Sequence, residues 1–90
     1  MPYTIAEFQD TPNPNALKCV LDRPLPHHEG LRSYTSAPAA SGDRLASELF
    51  QIPGVVGVLI NPGWVTVSRS PGTPWKVIKA GVEKVLGGAD

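Results

Sequence analysis

Leu45-Ala46-Ser47-Glu48-Leu49-Phe50-Gln51-Ile52-Pro53-Gly54-Val55-Val56-Gly57-Val58-Leu59-Ile60-Asn61-Pro62-Gly63-Trp64-Val65-Thr66-Val67 decides the fold class, because its apolar period changes within one short stretch. Leu45, Ala46, Leu49 and Phe50 recur at helical spacing, while Arg44, Ser47, Glu48 and Gln51 face away, which predicts a short amphipathic helix. Asp43 or Ser41 can accept the first free backbone N–H groups as its N-cap, and Pro53-Gly54 ends it because proline cannot continue a helix. Val55 to Ile60 is nearly all apolar. Asn61-Pro62-Gly63-Trp64 has the Pro-Gly centre of a type II turn, and Trp64 to Arg69 resumes with Val65 and Val67 on one face. A β-hairpin therefore succeeds the helix.

Downstream, Ser70 to Thr73 reads as a loop whose last residue can cap a final helix, with Pro74 at the first helical position, where its missing donor costs nothing. Trp75, Ile78, Val82, Val85 and Leu86 form the apolar stripe of that helix. Lys76, Lys79, Glu83 and Lys84 keep the other side wet, and Gly87-Gly88 is the stop. Upstream, Tyr3 to Phe8 has strand composition and is halted by Pro12-Asn13-Pro14. Asn15 to Leu21 alternates, with Leu17, Cys19 and Leu21 on one face and Ala16, Lys18 and Val20 on the other. Residues 22–30 read as a surface loop, Leu31 to Thr35 as a short third strand, and Ser36 to Gly42 as a connector. The order β-β-(β)-α-β-β-α predicts an α+β fold of two layers, a largely antiparallel sheet with two helices on one face.

Ninety residues with 41% hydrophobic positions suit one domain spanning residues 1–90. Eight basic residues balance eight acidic ones, so no basic surface exists to neutralise phosphates, and a nucleic-acid partner is not expected. No apolar run reaches the ~18 residues of a membrane span, so no membrane is expected either. The opening Met1-Pro2-Tyr3 lacks the features of a secretory signal, and the expected location is cytoplasmic. One cysteine, Cys19, forbids an intrachain disulfide.

The candidate ligands for a metal are Cys19, His27 and His28, with Glu29 beside them. An iron–sulfur cluster takes about four thiolates and a structural zinc about four nitrogen or sulfur ligands, so neither site is complete. Adjacent histidines on extended chain point apart; solvated loop residues and a weak metal site are both open readings of His27 and His28. Cys19, in line with Leu17 and Leu21, reads as a small buried hydrophobe or, less simply, as a reactive thiol. Serines sit in turns and connectors, carboxylates are isolated, and the Pro-Gly turns are too short to cradle a phosphate. The residues support no enzyme. Trp75 lies on the helical stripe and reads as core, whereas Trp64, directly after a turn and out of phase with Val65 and Val67, has two open readings, packing and an exposed anchor.

Four ordered blocks carry a family resemblance. Thr11-Pro12-Asn13-Pro14-Asn15-Ala16-Leu17-Lys18 resembles the TPNP-x-x-L-K signature of the N-terminal domain of Nfu/NifU-type iron–sulfur scaffold proteins. Leu45 to Val55 is similar to that family's L-A-x-x-L-F-x-I-x-G-V, Trp64-Val65-Thr66-Val67 to its F-I-T-V strand, and Trp75 to its helix-opening tryptophan. The resemblance implies an α/β domain of iron–sulfur cluster assembly or transfer. It also marks departures: Cys19 stands where an aromatic residue is more common, Arg44 where a proline is, and the C-x-x-C motif that binds the cluster in two-domain relatives is missing. No cofactor is therefore expected to be held tightly by this chain alone, with iron or a cluster reaching it through a partner.

Taken with the missing thiols, the resemblance implies a noncatalytic accessory or scaffold-type module that docks an iron–sulfur scaffold, carrier or client protein. Its candidate surface is Thr11, Pro12, Asn13, Pro14, Asn15, Lys18 and Trp64, although the prolines serve strand termination equally well. The alternatives are a weak iron donor using His27, His28, Glu29 and an exposed Cys19, and an interaction domain of an unrelated pathway.

Overall fold

The computed structural model describes residues 3–24 and 30–88. The elements run β1 (Ile5–Asp10), β2 (Ala16–Leu21), β3 (Arg32–Tyr34), a single 3-10 turn (Pro38–Ala40), α1 (Arg44–Phe50), β4 (Val55–Asn61), β5 (Trp64–Arg69) and α2 (Trp75–Gly87). The strands form one antiparallel sheet in the spatial order β1-β2-β5-β4-β3. The expected α+β class and element order hold. The spatial order adds what chain order does not say: the last strand enters the middle of the sheet, beside β2.

Alternation sorts the residues into two faces. Leu17, Cys19 and Leu21 of β2 stand with Val65 and Val67 of β5 and Val58 and Ile60 of β4, and all are buried. Leu45, Ala46 and Leu49 of α1 and Ile78, Val82 and Leu86 of α2 belong to the same core. Both helices therefore cover this face, and the even-numbered residues of β2 lie on the opposite one. Tyr3 is also core, and its N–H donates to the Leu86 carbonyl (3.0 Å), tying the chain's start to the end of α2. The first strand begins two residues later than predicted because Tyr3 is committed to that contact.

Between the two capping candidates for α1, Asp43 is the cap. Its Oδ1 accepts from the Ala46 N–H at 3.2 Å, and its Oδ2 accepts from the Tyr34 hydroxyl at 3.1 Å. Asp43 is only 6% exposed, and these bonds replace the water it gives up while joining β3 to α1. Two expectations at turns do not hold. Gly63 lacks the positive φ that a type II turn requires at its third residue; among the described residues Gly30, Gly54 and Gly72 have it. Pro74, not Thr73, is the N-cap of α2, with no side-chain cap bond. The Thr73 side chain lies instead against Gly54, whose φ of +90° and contact with Thr73 leave no room for a Cβ. Gly81, in the middle of α2, is the second close approach: a Cβ there would come within 2.8 Å of Ile52 Cγ2, so glycine lets α2 settle on the end of α1.

Candidate functional site

The face of the sheet turned away from the helices is built from β2, β5 and β4 by simple register. Lys18 pairs with Thr66 and Val20 with Trp64, while Leu59 and Asn61 of β4 pair with the same two β5 residues. Every one of these residues is half-buried, and no described helix covers them. Lys18 Nζ lies 4.9 Å from the centroid of the Trp64 ring, a cation–π contact that fixes the ammonium on the indole. Among the described residues three other cations also sit over rings: Arg23 over Tyr3 (4.8 Å), Arg69 over Trp75 (4.4 Å) and Lys79 over Phe8 (5.0 Å). Those three belong to the helix-covered side and its rim.

The Thr11–Asn15 loop lies at the other end of β2, roughly 13 Å along the strand from the level of Trp64 at ~3.3 Å per residue. Much of its polar chemistry is spent on itself. The Thr11 hydroxyl lies 2.9 Å from the Asn13 carbonyl and 3.1 Å from the Ala16 carbonyl, and accepts from the Asn13 N–H at 3.2 Å. Asn13 Oδ1 accepts from the Asn15 N–H at 2.9 Å, an Asx turn. Asn15 Oδ1 accepts from Arg69 Nε at 3.3 Å, and its carbonyl accepts from the Arg69 N–H at 2.7 Å. Arg69 Nη1 also donates to the Thr73 carbonyl at 2.9 Å. Thus one arginine pins the loop between β1 and β2 to β5 and, through Trp75, to the start of α2. Sequence reasoning passed over Arg69, since its partner Asn15 is 54 residues away and only the pairing of β2 with β5 brings them together. Pro12, Asn13 and Pro14 remain exposed at the loop's tip.

The structure therefore brings Lys18 and Trp64 together and sets the Thr11–Asn15 loop apart from them. Cys19, beneath the sheet, has no exposed surface, and its thiol pKa is pushed up from 9.0 to about 12. Desolvation is the main cause; Lys79 pulls the value down and Glu83 adds to the rise. A thiol in that state is a packed hydrophobe, protonated at neutral pH, and offers an ion no thiolate. The exposed Cys19 invoked for an iron donor is thus not found, and His27, His28 and Glu29 lie outside the described residues. Among the described residues no three His, Cys, Asp or Glu side chains stand together as a metal site, and no helix is long and apolar enough to cross a membrane. An open groove of about 400 Å³ between α1 and α2 is floored by Ile52, Pro53, Val77 and Val85, with Glu48, Gln51 and Lys84 also lining it.

The profile of the family described as scaffold protein Nfu/NifU, N terminal, matches residues 5–89. A mitochondrial NFU1 iron–sulfur cluster scaffold homolog from Drosophila ananassae is 33% identical over 80 residues, 89% of this chain and 28% of that protein. The human protein of the same description is 36% identical over 78 residues, 86% of this chain and 30% of that one. The chain thus spans less than a third of the length of these relatives. The crystal structure of Staphylococcus aureus protein SAV1430 superposes with a TM-score of 0.73 at 20% identity, covering 91% of this chain and 96% of that one, a likeness of fold. These matches overturn one expectation. The cytoplasmic assignment rested on the character of the first residues, whereas the curated relatives are mitochondrial proteins, and it is withdrawn. Matched across nearly its whole length and carrying the helix-on-sheet architecture just described, the chain belongs to the Nfu/NifU N-terminal scaffold family.

Proposed function

We propose that this chain is a noncatalytic accessory module of iron–sulfur cluster assembly or transfer, acting by docking a cluster carrier or its client. One observation carries the reading: in a chain of this family the sole thiol is sealed under the helices, while a cation–aromatic pair stands on the sheet face that no described helix covers. About four thiolates hold a cluster, and the sequence provides one cysteine, so iron or a cluster reaches this module through the partner. Lys18 and Trp64 form the centre of the docking surface, and the Thr11–Asn15 loop, with Pro12, Asn13 and Pro14 exposed, forms its outlying part. Binding energy concentrates on aromatic anchors ringed by near-neutral contacts, and in this proposal that role falls to Trp64, half-buried on the open face.

The test is an anaerobic, amide-resolved NMR titration of the labelled protein with a C-x-x-C scaffold domain, apo and cluster-loaded. Shifts confined to a patch containing Thr11–Lys18 or Trp64, larger with the loaded partner, are the expected outcome. Absence of shifts with both forms overturns the reading.

A further inference from the structure

Resting on the docking role above, we infer that the partner presents a carboxylate set among apolar side chains, received by Lys18 on the indole of Trp64 with Val20, Leu59 and Thr66 around it. On the open face β2 contributes Ala16, Lys18 and Val20, β5 contributes Trp64, Thr66 and Ser68, β4 contributes Gly57, Leu59 and Asn61, and β3 contributes Ser33. Edge strand β1 adds Glu7 opposite Val20 and Gln9 opposite Lys18 to the same face, so Lys18 is its one cation; the Glu7 carboxylate is engaged by Gln9, Oε1 accepting from Nε2 at 2.8 Å. The ion pair found among the described residues, Arg44 with Glu48, lies on α1.

An ammonium carries three donors, and an indole face satisfies its charge without accepting a conventional hydrogen bond. Lys18 is therefore held in place yet has no carboxylate within ion-pair distance among the described residues. Half-buried apolar neighbours lower the local dielectric, so an anion arriving there is bound more strongly than at an ordinary surface lysine. One isolated cation does not track a polyphosphate backbone, which needs several. A flat face of small and apolar residues around one cation fits a protein surface that brings a single Asp or Glu inside an apolar rim.

The experiment repeats the titration with K18M and K18R against the same C-x-x-C scaffold domain, apo and cluster-loaded. K18M keeps the stem and removes the charge; K18R keeps the charge. K18M is expected to weaken binding about 5- to 20-fold, with K18R staying within about threefold of the native protein. The native affinity is expected to fall between about 50 and about 300 mM salt, and that of K18M to change little. Native affinity in K18M with the Trp64 indole still shifted overturns the carboxylate while leaving the docking role standing. Equal losses in K18M and K18R, or a K18M loss with unaltered salt dependence, overturn it too. Absence of shifts in the native protein removes the docking role and this inference together.

Discussion

Cys19 and Lys18 are neighbours in sequence and opposites in environment. The thiol faces helices and has no exposed surface; the ammonium faces away from them and lies on an indole. The two cation–tryptophan pairs repeat the contrast. Arg69 over Trp75 is tied further by bonds to Asn15 and Thr73, so the guanidinium's donors serve the fold. Lys18 over Trp64 has no such ties. A side chain whose bonding capacity is used up holds the architecture, and one with capacity to spare is available to a partner. By that criterion the Thr11–Asn15 loop is mostly architecture, with a tip that remains exposed.

Perturbing each face in turn measures how sharp this division is. On the covered face, Leu49→Ala removes a fully buried side chain and is expected to cost about 3 kcal/mol. Urea unfolding should show a lower midpoint with unchanged slope. At the rim, Arg69→Ala loses the bonds to Asn15 and Thr73 and the stacking on Trp75, about 2 kcal/mol in all because the freed acceptors can reach water. Arg69→Lys should restore only part, since lysine lacks the forked donors, and a complete rescue in the same urea assay would show that charge alone matters.

Cys19 gives the covered face a pH signature. The folded thiol stays protonated to about 12, whereas the unfolded chain loses that proton near 9. Unfolding thus releases a proton between those values. The contribution is fully present below about pH 9 and declines above it by at most ~1.4 kcal/mol per pH unit. Comparing urea midpoints at about pH 8 and about pH 10.5 in the native protein and Cys19→Ala isolates this part, which should vanish in the variant. The open face should respond least: Lys18→Met is expected to shift stability by no more than about 0.5 kcal/mol while changing docking, and a larger loss would make Lys18 a structural residue.

Much of the fold can be read locally. The alternation through Leu17, Cys19 and Leu21 assigns β2 and its buried face, and the spacing of Ile78, Val82 and Leu86 does the same for α2. The Asp43 cap is encoded by one side chain and the next helical turn. Thr73 misleads because its neighbours in sequence permit a cap, while a glycine on another part of the chain, Gly54, occupies its side chain. The site is legible in the same uneven way. Trp64 stands out by being out of phase with Val65 and Val67, but its contact with Lys18 depends on β5 lying next to β2.

By itself the sequence determined the fold class, the two faces of β2 and β5, the breaks of the helices, and the family, because each rests on periodicity or on residues close in the chain. Tertiary structure decided the insertion of β5 between β2 and β4, the sealing of Cys19, the Arg69 tie and the seating of Lys18 on Trp64. Those depend on which strand lies beside which, a choice made by burying the apolar faces of distant segments together, and no local pattern encodes it.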